Sequence, residues 1–474
     1  MNFKTQHRLL ALAGFFSLTA LIGCVANNAQ APDDITLKGG LSAQLIATSA
    51  AGQTTGTFNI LSYNVAGLPA ILSSSDPMKN TAYISCLIRD YGIVHVQEDF
   101  NYHATLYDSC DNHLYRSPTS GGVPFGSGLN QLSNFPYTDF ERITWTNRVG
   151  PDALTPKGFT MARTWIAPGV AIDFYNLHAQ AGQTDPFSTA SWDEAALAAS
   201  RSDINQLMAY INANSQGNAV VIFGDTNTRY TRAGQNMQDF LSAGFRDVWI
   251  DLVRDGVAPV NGTLPLTTCT PSYVSSQCEI VDKVLYRNNA FVTLTPTAYV
   301  IDDGQFTNPE TLAPLSDHKP LEVKWNITTT ANRSLSDQFG GPHGTNYNDV
   351  NLLPAAPKVS KVFLRAGSRV DRLGAVLTDN STLIHGGTGG TYKELTLSAG
   401  EYVKSLYVCS GKKNNHTRIF YARYTTSNGR TLAGGSTTSE CTTFTAPEGM
   451  AIVGFHGRSA DEVDKTGVIY APAL

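Results

Sequence analysis

Charge is the first scarcity. Asp, Glu, Lys and Arg make up only 15% of the 474 residues, with a net charge of −5. No block of Lys and Arg occurs, which argues against a chain built to grip long nucleic acid by displacing counterions; no stable nucleic-acid partner is expected, although a nuclease can work without such a block. The seven cysteines include no Cys-x-x-Cys pair and no Cys/His cluster, so structural zinc is not expected. The apolar run at residues 9–23 is too short for an ordinary membrane span. What is present is an ordinary apolar content of 42%, globular rather than disordered, in a chain long enough for two or three domains.

Lys4 and Arg8 before that apolar run read as an export signal over residues 1–31. Leu21-Ile22-Gly23-Cys24 resembles a lipoprotein signal, which would leave the protein lipid-anchored at a bacterial cell surface through Cys24. Ala29-Gln30-Ala31 instead suits ordinary signal peptidase and a freely secreted product. The other cysteines group as sequence neighbours: Cys86 with Cys110, Cys269 with Cys278, Cys409 with Cys441. Disulfides suit an oxidising compartment, but six cysteines allow about 15 pairings, so the connectivity stays open. Glycosylation sequons stand at Asn261 and Asn415.

Residues 32–56 are rich in Ala, Gly, Thr and Ser and suit a tether or a weak first strand. From 57 to 327 short β-branched and aromatic runs (58–65, 93–96, 170–177, 219–223, 321–327) alternate with helical patterns. Ile204, Leu207, Met208 and Ile211 share one face of a helix expected from Trp192 to Asn212. This is an α+β domain of packed sheets with helices outside. After a polar linker at 328–335 helical periodicity disappears, and 336–474 reads as an all-β sandwich, barrel or prism.

Six motifs close β-like runs or sit in loops: Ser62-Tyr63-Asn64, Gln97-Glu98-Asp99, Asn176-Leu177-His178, Gly224-Asp225-Thr226-Asn227, Val281-Asp282-Lys283 and Ser316-Asp317-His318. Phosphate ester hydrolysis needs a cation to neutralise charge, donors for the developing negative oxygens and a base for water. Mg²⁺ is content with one or two carboxylates and several waters. Glu98 is the natural metal ligand, with Asn64 beside it. Asp225 can be the base and Asn227 can orient water or phosphate. His178 and His318 can donate to phosphoryl oxygens, and Asp282 can hold the His318 ring in one tautomer.

In this order the motifs resemble the endonuclease/exonuclease/phosphatase superfamily, the fold of DNase I, neutral sphingomyelinases and inositol polyphosphate 5-phosphatases. The resemblance implies a four-layered sandwich and a Mg²⁺-dependent phosphodiesterase, with Mn²⁺ or Ca²⁺ as alternatives. It assigns Asn64, Glu98 and Asp317 to the metal, and His178, Asp225, Asn227, Asp282 and His318 to catalysis. Gly224-Asp225-Thr226-Asn227-Thr228-Arg229 is similar to a 5-phosphatase motif, but the Pro-Ala-Trp-Cys-Asp-Arg motif of those enzymes is missing around Asp282. Lys157-Gly158 and the stretch 176–181 are similar to the secreted sphingomyelinase branch. A phospholipid substrate at a membrane surface is therefore favoured over a secreted nuclease. Arg229 and Arg232 are candidates for a second phosphate or are plain surface charges.

Phe339-Gly340-Gly341-Pro342-His343-Gly344, a glycine cluster at 386–390, and Gly457-Arg458-Ser459 before Ala460-Asp461-Glu462-Val463-Asp464 mark the second half. Clustered glycines let backbone approach a ligand, and acids accept from sugar hydroxyls. These motifs resemble a jacalin-type lectin, which implies a β-prism binding cell-surface or free glycans through Gly344, Asp461, Glu462, Val463 and Asp464. Ala460 stands where the family often has Gly. The competing reading is a glycan-binding adhesin or toxin whose first domain is an inactive scaffold.

Overall fold

The computed structural model describes residues 45–49, 52–71, 76–182, 193–260 and 277–473. The expected signal segment, Cys24, Asn261 and Cys269 lie outside these.

Two sheets form the first domain. The first contains β1 (Leu45–Thr48), β2 (Thr54–Asn64), β3 (Ile93–Gln97), β4 (Tyr115–Arg116), β5 (Asn130–Ser133), β12 (Val292–Ile301) and β13 (Leu321–Thr329), in the order β12-β13-β2-β3-β5-β4, with β1 paired to β2. The second contains β6 (Tyr137–Thr144), β7 (Gly158–Ala167), β8 (Val170–Leu177), β9 (Val220–Asp225), β10 (Arg246–Asp247) and β11 (Asp282–Arg287), in the order β10-β11-β9-β8-β7-β6. β1 and the start of β2 therefore fall in the stretch read as a tether or weak first strand.

Period-two alternation makes the layers. In β2, Phe58 and Ile60 join the aromatic core between the sheets, with Trp165, Phe174, Phe223 and Trp325. Leu61 and Tyr63 face the other way, onto Ile84 and Ile88 of α1 (Pro77–Ile88) and Leu106 of α2 (His103–Asp108). On the far side, Ile204, Leu207 and Ile211 of α3 (Glu194–Asn214) cover the second sheet. The helix starts two residues later than its periodicity suggests, because Asp193 caps it by accepting from the Ala196 N–H at 2.8 Å. Two short helices, α4 (Met237–Ser242) and α5 (Val248–Val253), complete that outer layer.

β2 and β3 are parallel and joined through α1; β8 and β9 are parallel and joined through α3. Such crossovers bring the carboxyl ends of neighbouring strands to the same edge of a sheet, where ligands bind in open α/β sheets. All the other strand pairs of this domain are antiparallel.

The second domain is three sheets. One joins β14 (Ser334–Leu335), β15 (Phe339–Gly340), β16 (Thr345–Asn348), β25 (Met450–Ser459) and β26 (Val463–Pro472). Another joins β17 (Val359–Ala366), β18 (Val370–Leu377), β19 (Thr382–Gly386) and β20 (Thr391–Thr396). The third joins β21 (Val403–Lys413), β22 (His416–Thr426), β23 (Thr431–Gly435) and β24 (Glu440–Thr445). Leu364, Leu373, Leu406, Tyr424 and Phe455 meet in their shared core, so this domain is the prism among the all-β options. Disulfides join Cys86 to Cys110 and Cys409 to Cys441, and Cys278 is also disulfide-bonded.

The prism docks where β8 and β9 begin. Leu335 N–H donates to Gly169 O at 3.0 Å, and Asn346 and Asn348 donate to Gln216 O and Asn218 Oδ1. Arg163 of β7 pairs with Asp173 of β8, Asp139 and Gln338, while Lys465 also reaches Asp139. The cores merge here, Leu377, Val453 and Ile469 packing into the aromatic cluster of the first domain.

Candidate active site

Strand geometry brings the predicted catalytic residues together at the edge opposite that seam. Asn64 ends β2, Glu98 follows β3, His178 follows β8 and Asp225 ends β9. Gly224 has a packing reason to be glycine: a Cβ there would lie 2.4 Å from Leu177 O, so β8 and β9 close up and His178 bridges to Asp225. Glu98 turns out of β3 with φ of 56°. A left-handed non-glycine residue costs about 1–2 kcal/mol, and such outliers gather at functional sites. Gly67 N–H and Phe100 N–H hold the turn by donating to Glu98 O at 3.0 and 2.8 Å. Asn227 also has positive φ, 50°, a conformation Asn tolerates. Its N–H donates to Asp225 Oδ1 at 2.9 Å and its side-chain amide to Ala179 O at 3.1 Å. Arg232 donates to Asn227 O at 2.9 Å, so one of the two arginines braces this turn.

Asp225 is the hub. Its Oδ2 lies 3.4 Å from His178 Nε2, 3.5 Å from His318 Nε2 and 3.3 Å from Asn64 Nδ2. His318 Nδ1 faces Asp282 Oδ2 at 3.1 Å. Ser316 ties the last motif to the first: its hydroxyl donates to Asn64 O at 2.6 Å and accepts from His318 N–H at 3.1 Å.

The electrostatics separate the two histidines. Burial, then Lys157 and His318, hold His178 well below the ordinary imidazole range, so it is neutral. Burial also opposes charge on His318, but Asp225 and Asp282 outweigh it and hold that imidazole protonated well above its usual value. Burial pushes the Asp225 carboxyl up to about 6, opposed by His318 and reinforced by Asp282.

Among the described residues, the ligand atoms of Asp225, Asp282 and His318 lie within 4.8 Å of one another. An imidazolium cannot ligate a cation, and His318 is already paired with both acids. That leaves Glu98, whose side chain is 20% exposed, and the exposed Asp317 as carboxylates open to a cation. Hard oxygen donors of this kind fit Mg²⁺, Mn²⁺ or Ca²⁺. Two of the expected ligands stand differently. Asn64 turns its NH₂ toward Glu98 Oε1 (3.2 Å) while its Oδ1 accepts from Ala66 N–H (3.0 Å), so offering oxygen to a metal requires the amide to flip. Asp317 is exposed and takes the Ser316 hydroxyl at 3.4 Å.

Three groups beside the site were given no catalytic role by the sequence, where Lys157 entered only through the resemblance to secreted sphingomyelinases. Lys157 is buried and paired with Asp152 at 2.5 Å. Asp152 in turn accepts from Ala181 N–H at 2.6 Å. Asp203 of α3 accepts from Gln180 N–H at 2.8 Å, and burial pushes its carboxyl up to about 8. No motif spacing marks Asp152 and Asp203, because they support the His178 segment from separate elements.

In the prism, Gly344 and Asp464 do meet: a Cβ on Gly344, at φ +73°, would lie 2.4 Å from Asp464 Oδ2. The acids are already engaged. Arg418 Nη1 is 2.5 Å from Asp464 Oδ1, and Arg369, Lys413 and Arg418 surround Glu462. Burial raises Glu462, but Arg369 and Lys413 outweigh it and hold it at about 2. Asp461 is exposed. The Val463 side chain is buried in the prism core, which leaves it only main-chain atoms to offer a sugar.

An endonuclease/exonuclease/phosphatase family 2 model matches residues 79–259, and a jacalin-like lectin domain model matches residues 336–469. Sphingomyelinases of Mycobacterium bovis and Mycobacterium tuberculosis are 33% identical over 277 residues, covering 56% of this chain and 52% of theirs. The chain thus spans about half the length of these relatives. A secreted RxLR effector protein 19 of Plasmopara viticola is 29% identical over 143 residues, 28% of this chain and 78% of its own. Malaysian banana lectin aligns at 26% identity and a TM-score of 0.27, covering 29% of this chain and 97% of its own. The chain carries an endonuclease/exonuclease/phosphatase-type domain followed by a jacalin-like lectin domain.

Proposed function

We propose that the protein is an exported, Mg²⁺-dependent phosphodiesterase, with a phospholipid such as sphingomyelin as its favoured substrate and the prism as its glycan-binding module. The observation that carries this reading is one carboxylate, Asp225, between a neutral and a protonated imidazole beside the half-open Glu98. Similarity to sphingomyelinases over 277 residues supports the lipid class. Either exit from the N-terminal segment, free secretion or a lipid anchor at Cys24, is consistent with it.

Asp225 takes the proton of the attacking water as its oxygen bonds to phosphorus. The opposite P–O ester bond breaks, its oxygen leaves as an alcohol after taking a proton from solvent water, and Asp225 returns its own proton to solvent. Protonated His318, held by Asp282, donates to the phosphoryl oxygens that gain charge, and neutral His178 adds a second N–H from Nε2. Asn227 keeps the Asp225 carboxylate facing the cleft. Glu98, with Asn64 and Asp317, would hold Mg²⁺, which supplies neutralising charge for the phosphate when bound.

Asp225→Asn and His318→Ala should each lower kcat/KM on sphingomyelin by at least 100-fold, on the scale of about 2.7–4 kcal/mol for one key donor. EDTA should abolish turnover and Mg²⁺ should restore it. Unchanged turnover in both variants would refute the assignment. A substrate panel with DNA and phosphoinositides separates the lipase from a secreted nuclease. No hydrolysis of any phosphodiester would favour the glycan-binding scaffold.

A further inference from the structure

The site sits in a collar of exposed apolar side chains. Ile71, Phe125, Leu312 and Leu154 are 92%, 84%, 77% and 69% exposed, and each stands on a loop bonded to a catalytic segment. The Ile71 loop is tied through Gly67 N–H to Glu98 O, and Asn101 N–H returns to Gly67 O. Asn101 is also the side chain nearest Gly122 in the Phe125 loop, whose Gly128 O accepts from Asp99 N–H. Phe125 and Pro156 line one small hollow of about 190 Å³; Leu154 is two residues before Pro156, on the turn whose Asp152 grips Ala181. On the other side, Lys79 at the start of α1 pairs with Glu310, two residues before Leu312, in the loop that ends at Ser316-Asp317-His318. These contacts tie all four loops to the segments that carry the site.

Its composition is as telling as its exposure. No charged residue occurs from 65 to 75, from 117 to 131 or from 311 to 316. Of the flanking charges, Lys79 pairs with Glu310 and Lys157 with Asp152, Arg142 beside Phe125 is taken up by Leu129 O and Pro118 O, and Asp317 is exposed. Leu312 is held at φ 57°, a strained conformation for a leucine facing outward.

Resting on the phospholipid reading above, we propose that this uncharged collar docks the catalytic mouth onto a zwitterionic lipid surface, its apolar tips entering the headgroup layer around the phosphate to be cut. A cationic patch would select anionic lipid and fail at high salt; apolar tips select neither.

Co-sedimentation with glycan-free phosphatidylcholine vesicles in EDTA tests this without turnover. Wild type should bind equally at about 0.05 M and about 0.5 M salt. The triple variant Ile71→Ser, Phe125→Ser, Leu312→Asn should bind at least about tenfold more weakly and keep its activity on bis(p-nitrophenyl) phosphate within about twofold. Phe125→Trp should show a blue shift in emission on vesicles, a readout independent of the triple variant's stability. Wild-type binding by the triple variant, binding only to anionic vesicles, or an unshifted tryptophan would each overturn the proposal. Because vesicle binding is read in EDTA, a wild type that cuts no phosphodiester would remove the enzymatic reading and leave this test standing.

Discussion

Asp282 touches no position where a substrate atom would sit; it acts through His318. Its Oδ2 faces His318 Nδ1 at 3.1 Å, which points Nε2 at Asp225 and, with Asp225, keeps the ring protonated. Asp282→Asn should therefore lower kcat by about 100-fold or more with little change in KM. It should also move the alkaline limb of the kcat/KM profile. Removing an acid that raises the His318 value lets the ring lose its proton at lower pH, so activity should begin to fall at lower pH than in wild type. An unmoved limb would reduce Asp282 to a structural role. The acidic limb belongs to Asp225, pushed up to about 6: a base must be ionised, so activity should fall as pH drops through that value.

At the scale of elements, the site depends on how tightly loops meet strand ends. Gly128, between β4 and β5, carries no chemistry, yet a Cβ there would lie 2.7 Å from the Phe100 ring and 3.0 Å from Glu98 Cα, at φ +68°. Gly128→Ala should cost at least the roughly 1–2 kcal/mol of a left-handed alanine and displace Glu98. Thermal unfolding and Mg²⁺ titration of activity would show a lower Tm together with a weaker metal requirement constant; an unchanged metal dependence would exclude the coupling. The strands themselves were legible: β8 occupies residues 170–177 as its β-branched and aromatic run indicates, and β9 and β13 start within one residue of expectation. α3 was displaced because its Asp193 cap outweighs periodicity in setting the first turn. Gly128 was invisible, because its partners Phe100 and Glu98 lie in another motif.

For the whole molecule, the seam decides what the two domains can do together. The prism sits at the amino ends of β8 and β9 and catalysis at their carboxyl ends, with α3 spanning the distance; its 21 residues measure about 31 Å. Arg458 binds both Gly344 O and Asn214 at the rear end of α3, so the Gly344 turn lies at the seam, the length of α3 away from the catalytic edge. His456 lies in this seam, its Nδ1 accepting from the Gln338 side-chain amide at 2.9 Å. Burial, then Arg163, holds it down to about 3. Unfolding lets it bind a proton below its ordinary value of 6.5. Its contribution is therefore complete above pH 6.5 and is lost as pH falls toward 3, by about 1.4 kcal/mol per pH unit. His456→Gln should flatten the pH dependence of unfolding in that window; a slope equal to wild type would contradict it.

Local pattern determined the strands of the first domain, the change to an all-β second half and the ordered motifs Asn64, Glu98, His178, Asp225 and His318, because side-chain periodicity and strand-end chemistry are written in adjacent residues. Only the tertiary structure decided that His178 is neutral while His318 is charged, that Arg418, Arg369 and Lys413 already hold Glu462 and Asp464, and that Ile71, Phe125, Leu154 and Leu312 stand exposed. Burial and ion pairing depend on residues brought together from distant parts of the chain, and no spacing along it records them.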